Sequence, residues 1–261
     1  RHGAMALCWT LDKLGPMARS ARDTETILAA IAGADPNDPT AVDAPLTAPR
    51  RKLRVAVLKD ATKGSMREVS ANFRASLKVI ASFADVAGEV ALPKGPWGPV
   101  VGTIVDAEGA AAFRDLIESG RSRDLRNADD KLGGYVAYAT PAVDYIDALR
   151  QRAKLAAALE AAMDGYDAIV SPTLPTVTYP VGLGFDQAYP KYPGGPSLIA
   201  PGNLAGLPAI AMPNGMGPNG LPTSLSFLGR AWGESTLTAL ATRYQRETTF
   251  HRNRPTLVSR L

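Results

Sequence analysis

Cysteine, histidine and long apolar runs are scarce in this chain of 261 residues, and each scarcity excludes a class of protein. The only cysteine is Cys8, so a disulfide framework within the chain is impossible, which fits a reducing compartment. No apolar run approaches the roughly 18 residues that cross a bilayer, and no signal peptide is visible. We therefore expect a cytoplasmic protein with no membrane partner.

The chain has only two histidines, His2 and His251, which limits the catalytic or metal sites that could use an imidazole. A histidine metal site or a Ser–His–Asp triad would have to use one of them. Arg252 and Arg254 lie beside His251 and oppose both its protonation and metal binding, so we interpret it as a surface residue. His2 fits a terminal loop. Cys8 has no basic neighbour in sequence, so packing suits it better than nucleophilic attack.

Charge and composition indicate an ordinary globular protein. The net charge is +4, with 46% hydrophobic and 21% charged residues. The basic clusters at residues 50–52 and 121–126 are not interleaved with aromatic residues, so nucleic-acid binding is not indicated. The length suits one large domain or two small ones.

The most informative stretch is residues 203–229, where two short apolar runs are separated by Gly, Pro and Asn. The runs, residues 208–213 and 223–228, predict two buried strands joined as a hairpin. Strands that are apolar on both faces belong in the middle of a sheet that helices cover.

The tip of this hairpin matches G-x-G-x-x-G through Gly215, Gly217 and Gly220. A dinucleotide site would need a helix after the glycines, with its N-terminus at the pyrophosphate. Pro218 lies inside the match and Pro222 leads into the next strand, so no such helix is available. We interpret the glycines as turn residues.

Periodicity and capping residues predict the remaining elements. Strands are predicted at residues 53–58, 89–92 and 167–171, and helices at residues 20–33, 68–84, 100–119, 140–163, 197–205 and 234–250. Ser20 is the predicted N-cap of the first helix. Ser197, in a Gly-Gly-Pro-Ser run, is either an exposed serine or, as we prefer, a helix cap. The alternation predicts an α/β fold with a mixed β-sheet flanked by α-helices on both faces.

No complete catalytic constellation emerges from residue chemistry alone, but six sequence blocks resemble one family. They occur in family order and cover nearly the whole chain. The blocks are TLDKLGPMARSARDTETILAAIAGADPNDPTA, LRVAVL, DAEGAA, YDAIVSPTLP, NLAGLPAIAMP and GLPTSLSFLGRAWGESTLTALA. The chain is similar to the C-terminal half of the amidase signature family.

The resemblance implies an amide hydrolase with a Ser–cis-Ser–Lys triad and an oxyanion site. Those three residues belong to the family segment that precedes TLDKLGP, so we assign no catalytic residue; Lys13, Lys59 and Ser20 are not their counterparts. The chain starts at Arg1 in mid-pattern, and we expect residues 1–261 to be the C-terminal part of a single amidase-signature domain. No metal or organic cofactor is implied.

The resemblance also places much of an acyl-group pocket in this half, and the predicted loops supply the candidates. The candidate substrate-binding residues are Trp97, Tyr135, Tyr138, Thr173, Tyr179 and Asn203. Packing or loop capping is the alternative role for each. Two residues depart from the family pattern: Asn219 replaces an acidic residue before GLP, and Ser226 replaces a frequent Gln. The class of amide substrate therefore stays open.

Three hypotheses follow. The first is an amidase that cleaves a small carboxamide, and the second is the glutamine-hydrolysing subunit of a tRNA-dependent amidotransferase. Asn219 disfavours the second, because the α-ammonium of glutamine calls for a carboxylate partner. The third is a non-catalytic binding module. We expect this chain alone to be inactive, and to aggregate, dimerise or need the upstream half of the same fold.

Overall fold

A computed structural model describes residues 1–254, and five strands in that range form one mixed sheet. The strands are β1 (Arg54–Leu58), β2 (Asp85–Val90), β3 (Ala168–Pro172), β4 (Ala209–Met216) and β5 (Pro222–Gly229). Their order is β2-β1-β3-β5-β4. β1 is parallel to β2 and β3, whereas β5 is antiparallel to β3 and β4. The predicted mixed sheet is confirmed.

Helices cover both faces of the sheet, as the sequence predicts. They are α1 (Ala21–Ile31), α2 (Arg67–Ala81), α3 (Trp97–Ala112), α4 (Arg114–Glu118), α5 (Ala128–Ala137), α6 (Ala142–Ala162), α7 (Phe185–Ala188), α8 (Ile199–Leu204) and α9 (Glu234–Glu247). Within residues 1–254, no helix has both the length and the apolar content to cross a membrane.

The two faces have separate hydrophobic cores. On what we call the α6 face, Ile169 and Leu228 of the sheet pack with residues of α3, α6 and α8. On the opposite α9 face, Val170 and Phe227 pack with residues of α2 and α9. Neighbouring strand residues therefore point into different cores, as the pleat of a strand requires.

The β4–β5 hairpin is antiparallel with an irregularity between Pro213 and Gly215. Its tip is a 3₁₀ turn, Pro218–Gly220, and β5 rather than a helix follows the glycines. Asn219 adopts a left-handed φ of 58°, a conformation that Asn tolerates better than most residues. The turn interpretation of the G-x-G-x-x-G match is confirmed.

A buried polar network fixes the hairpin to the α9 face. Asn214 donates to Ser76 Oγ at 3.2 Å and accepts from Thr223 Oγ1 at 2.7 Å. Thr223 also accepts from Asn72 at 2.9 Å, and Ser76 shares a hydrogen bond with the Tyr244 hydroxyl at 2.9 Å. Because buried polar groups are costly when unpaired, these reciprocal bonds specify how the hairpin packs on α2 and α9.

The prediction that both hairpin strands lie in the middle of the sheet is wrong for β4. β5 lies between β3 and β4, but β4 is an edge strand within the described residues. Ala209 and Ala211 are exposed on it, whereas β5 buries every second residue from Thr223 onward. An apolar run alone therefore did not distinguish an inner strand from an edge.

Several predicted boundaries need correction. β2 begins at Asp85, before the predicted start, because the residues from Asp85 pair in parallel with β1. The helix predicted for residues 100–119 begins earlier, at Trp97, and is broken at Phe113 into α3 and α4. α5 lies in a region for which no helix is predicted.

The local helix signals were more accurate. Ser20 Oγ accepts a hydrogen bond from Asp23 N at 3.1 Å, which confirms the predicted N-cap of α1. The helix predicted for residues 140–163 is α6, which begins at Ala142 with Pro141 as its N-cap. Residues 255–261, which follow the last predicted helix, lie outside the described residues.

Candidate functional site

The candidate site is a cavity of about 150 Å³ on the α6 face, beside the carboxyl end of β3. Its lining joins β3, β5, α8 and the N-terminal segment. The polar lining side chains are Lys13, Ser171, Thr173, Asn203 and Ser226, and the apolar ones include Leu198, Ile199, Leu207 and Leu228. Ligands of α/β proteins commonly bind outside the carboxyl ends of sheet strands, which makes this position a natural one.

Hydroxyl groups from two strands meet at the cavity. Thr173 follows β3, Ser226 lies on β5, and their hydroxyls share a hydrogen bond of 2.7 Å. The antiparallel register sets this pairing, because Ser171 stands opposite Ser226 and the Thr173 amide donates to Ser224 O at 3.0 Å. Since each hydroxyl can both donate and accept, the pair can bind a polar ligand group while remaining bonded.

Helix α8 closes one side of the cavity because Gly202 lets it approach β5. A Cβ atom at Gly202 would lie 2.6 Å from Leu228 Cδ1, so a larger residue would require the Leu228 side chain or the helix to shift. Asn203 follows on the same helix and is exposed. The close approach thus places the amide of Asn203 near the hydroxyls of the strands.

Lys13 brings a positive charge to the cavity from the N-terminal segment. Its Nζ donates to Leu207 O at 2.9 Å and to Gly202 O at 3.3 Å. Desolvation of the ammonium group lowers the pKa of Lys13, and the nearby charge of Arg152 lowers it further. Both of these hydrogen bonds go to carbonyl oxygens, so Lys13 does not activate a cavity hydroxyl as a nucleophile in this arrangement.

Arg152 of α6 lies outside the cavity lining and links α8 to the N-terminal segment. It donates from Nε to Leu204 O at 2.8 Å and from one terminal nitrogen to Thr10 O at 3.0 Å. Within the described residues, neither Arg152 nor Lys13 forms an ion pair. The site therefore carries two cations whose hydrogen bonds go to neutral carbonyl oxygens.

Glu108 of α3 anchors the segment that delivers Lys13. It accepts from the amide and hydroxyl of Thr10, at 2.8 and 2.7 Å, and from the hydroxyl of Tyr145 at 2.9 Å. Burial raises the pKa of the Cys8 thiol to about 12, helped by its hydrogen bond to Glu108. Cys8 is buried and poorly ionised, in keeping with its predicted packing role.

A second cavity of about 190 Å³ lies on the other side of Thr173. It is formed by residues 172–175, the loop at residues 193–197, Ala61 and Phe185. Ser197 Oγ accepts from Ile199 N at 3.2 Å, but the N-cap of α8 is Leu198. Ser197 therefore lies one residue before the cap position preferred for it and bonds the first residue of the helix.

His251, near the end of the described residues, lines a third cavity of about 250 Å³. Arg19, Asp23 and Arg252 also line this cavity. Burial and the charge of Arg252 lower the pKa of His251, as its basic neighbours led us to expect. It is half-buried rather than fully exposed, so the surface interpretation is only approximate.

Only two of the six candidate residues line the 150 Å³ cavity, namely Thr173 and Asn203. Trp97 is only 7% exposed, belongs to the core of the α6 face and donates to Pro93 O at 2.8 Å. Tyr135 lies in α5 and donates to Ile117 O at 2.9 Å. Its loop placement, like that of Trp97, is therefore wrong.

The other two tyrosines also lie away from this cavity. Tyr138 is the C-cap of α5 and lies in the turn that follows the helix, in agreement with its predicted loop placement. Tyr179 is in the predicted loop, exposed, with its ring edge-on to Phe185 at 6.5 Å. A role of these residues in substrate binding stays a prediction.

Sequence reasoning missed Lys13 and Ser171 as cavity residues and treated Ser226 only as a departure from the family pattern. Ser226 does line the cavity, whereas Asn219 is exposed at the hairpin tip and lines neither cavity beside Thr173. The polar residues in the otherwise apolar strands β3 and β5 were the available signal for Ser171 and Ser226.

A sequence model described as Amidase matches residues 1–238. The chain belongs to the amidase family. Among curated relatives, it is 33% identical over 288 residues to a subunit of the glutamyl-tRNA(Gln) amidotransferase of Roseiflexus sp. (strain RS-1). That match includes 98% of this chain and 58% of the relative, so the chain spans little more than half the length of such relatives.

Solved structures of the family share the fold. The native peptide amidase of Stenotrophomonas maltophilia is 25% identical, with a TM-score of 0.76, over 98% of this chain and 56% of that protein. The corresponding glutamyl-tRNA(Gln) amidotransferase subunit from Thermotoga maritima is 24% identical, with a TM-score of 0.71, over 94% and 54%. These likenesses agree with the mixed α/β architecture described above.

Proposed function

We propose that this chain forms the acyl-binding wall of an enzyme that hydrolyses a small carboxamide to an acid and ammonia or an amine. The observation that carries the proposal is the cavity at the end of β3, where Thr173, Asn203 and Ser226 converge. Apolar residues complete the lining, as expected for a pocket that receives an acyl group and orients it through a few polar contacts. Family membership supports the same reaction class.

The nucleophile and its base belong, in this proposal, to polypeptide outside residues 1–261. A Ser–cis-Ser–Lys triad would attack the amide carbonyl from that side, while the cavity described here holds the acyl group. Lys13, the cation in the cavity lining, is engaged by two carbonyl oxygens and is not the triad lysine. No cofactor is needed for this chemistry, and a cytoplasmic location remains our expectation.

The remaining part of the fold would also cover surface that is open here. The outer edge of β4 has no strand partner within the described residues, and Met216 at its end is exposed. Leu14 and Met17 of the N-terminal segment are 62% and 95% exposed. Unpaired strand edges and exposed apolar side chains are typical of surfaces that contact another polypeptide.

The glutamine-hydrolysing component of a tRNA-dependent amidotransferase is the second candidate function. The curated relative from Roseiflexus favours it, because that protein is named as a component of glutamyl-tRNA(Gln) amidotransferase. The argument against it from Asn219 is weak, since Asn219 lies at the exposed hairpin tip. Co-purification with further subunits and tRNA, with glutamine as the only amide hydrolysed, would support this candidate over a free-standing amidase.

Ammonia release tests the primary proposal. The assay compares residues 1–261 alone with the full gene product that contains them, over a panel of short aliphatic carboxamides. We expect hydrolysis by the full product and none by residues 1–261 alone. Hydrolysis by the shorter chain would contradict the placement of the triad, and a full product inactive on every amide would contradict the function.

Light scattering tests the exposed surface separately. Residues 1–261 alone should dimerise or aggregate, because the β4 edge and the apolar N-terminal segment are uncovered. A stable monomer would count against the idea that these surfaces contact the rest of the fold.

A further inference from the structure

The 150 Å³ cavity has an unbalanced charge that the proposed hydrolysis does not by itself explain. Its lining contains one ionisable side chain, Lys13, and no acidic one among the described residues. Arg152, whose charge acts on Lys13, is a second cation near it, outside the cavity lining. Neither forms an ion pair within residues 1–254. A cation without a carboxylate beside a concave site favours an anionic ligand.

The geometry of Lys13 leaves a donor for such a ligand. An ammonium group has three N–H donors, and two are directed to Leu207 O and Gly202 O. Gly202 lies within α8 and Leu207 follows the turn after it, so these carbonyls hold the charge at the cavity while leaving the third donor available. The hydroxyls of Ser171 and Thr173 lie in the same lining and provide further donors.

We propose that Lys13 is a specificity-determining residue that selects acyl groups ending in a carboxylate, so that the substrates are monoamides of short dicarboxylic acids. This inference rests on the proposed function and names its substrate class. A charge-assisted hydrogen bond is stronger than a neutral one, so Lys13 discriminates against an uncharged acyl chain. The same two cations disfavour a substrate with an ammonium group, such as glutamine.

The size of the cavity agrees with a short acyl chain. At about 150 Å³ it is smaller than the roughly 300–1,000 Å³ of pockets that enclose drug-sized ligands. Leu198, Leu207 and Leu228 line it between the polar groups and can pack against a few methylene groups. Lys13 then contacts the distal end of the acyl group and takes no part in breaking the amide bond.

Three probes that differ by one group each test the inference by calorimetric binding to the full gene product that contains residues 1–261. They are glutaramate (the monoamide of glutaric acid), pentanamide, which lacks the carboxylate, and L-glutamine, which adds an α-ammonium group. We expect glutaramate to bind roughly tenfold more tightly than either of the others. Equal affinities, or no binding of glutaramate, would overturn the inference without any variant being made.

Variants then assign the preference to Lys13. Lys13→Met should bring glutaramate to within about threefold of pentanamide, while Lys13→Arg, which keeps the charge, should retain most of the preference. Lys78→Met is the matched control, since it removes an exposed lysine from α2 on the opposite face of the sheet. A Lys13→Met protein that folds and keeps the full preference would refute the assignment.

The two proposals fail in different ways. If the full gene product hydrolyses pentanamide and glutaramate with equal efficiency, the hydrolase proposal holds and the role of Lys13 is refuted. If the full product binds glutaramate selectively through Lys13 but hydrolyses no amide, the specificity holds and the hydrolase proposal is refuted.

Discussion

The two faces of β5 differ sharply in what their side chains do. Thr223, Leu225 and Phe227 are at most 1% exposed and pack toward α2 and α9. Ser224 and Ser226, between them, are half-buried on the opposite side, where Ser226 lines the 150 Å³ cavity. One strand thus supplies both a closed core and an open polar site. Alternation with a period of two residues permits this division.

The largest expected difference between the faces comes from substitution in the core. Phe227→Ala should lower the free energy of unfolding by about 3–5 kcal/mol, because it leaves a cavity between the sheet and helices α2 and α9. Ser226→Ala, one residue away, should change it by less than about 1 kcal/mol. Urea denaturation followed by circular dichroism measures both. Similar losses of stability in the two variants would contradict the contrast between the two faces of β5.

The α6 face has a polar anchor of its own, Glu108. Glu108→Gln should cost about 1.5–3 kcal/mol at pH 7, because hydrogen bonds from Thr10 and Tyr145 to a charged acceptor are weakened. Asp106→Asn is the matched control on the same helix, where the carboxylate is exposed. Urea denaturation measures the stability of both variants. Equal stabilities would mean that Glu108 contributes no more than an exposed surface carboxylate.

The contribution of Glu108 should also depend on pH. Burial alone would raise the pKa of Glu108, but hydrogen bonds from Thr10, Tyr145 and Cys8 outweigh it, so the pKa is lowered. A lowered pKa in the folded state stabilises the protein above the ordinary value of 4.5 and loses this effect as the pH falls through the lowered value. The difference between wild type and Glu108→Gln should therefore shrink on acidification. A difference that grows at low pH would contradict this sign.

Two asparagines, Asn214 on the α9 face and Asn203 at the cavity on the α6 face, allow the same substitution to be compared on both faces. Asn214→Ala should lower the free energy of unfolding by about 1–3 kcal/mol, since Thr223 and Ser76 lose a buried partner. Asn203→Ala should change it by about 0.5 kcal/mol or less, because Asn203 is exposed at the cavity. Thermal and urea unfolding give both values. An Asn203 variant as unstable as the Asn214 variant would mean that the cavity wall is structural.

Local patterns in the sequence predicted the features that depend on near neighbours. The Ser20 cap forms within one helical turn, and the hairpin turn is specified by glycine, proline and Asn219 within a few residues. The alternation of strands and helices was sufficient for the mixed sheet with helices on both faces. The family blocks confirmed by the match to residues 1–238 are likewise readable from sequence alone.

Helix α5 shows why other elements could not be predicted. Its glycines are poor helix formers, and the sequence analysis predicts no helix there. A Cβ atom at Gly134 would lie 2.7 Å from the Ile117 side chain, so glycine suits the close packing of α5 against α4. Tertiary contact therefore overrides local propensity at this point, and the placement of Tyr135 in a loop failed for the same reason.

Lys13 could not be found from sequence for a simpler reason. Its hydrogen-bond partners, Gly202 and Leu207, are 189 and 194 residues away along the chain. Thr173 and Ser226 are 53 residues apart and meet only through strand pairing. Cavities built from such distant segments follow from the topology of the sheet rather than from any motif.

The most direct test of the central claim, that the α6 face binds the acyl group, is a map of amide chemical-shift changes. The measurement uses the full gene product that contains residues 1–261, and the ligand is whichever of glutaramate and pentanamide binds it more tightly. The largest changes should fall at Thr173, Asn203 and Ser226, with little change at Thr223 or Phe227 on the other face of β5. Changes concentrated on the α9 face, or in the cavity around His251, would contradict the claim.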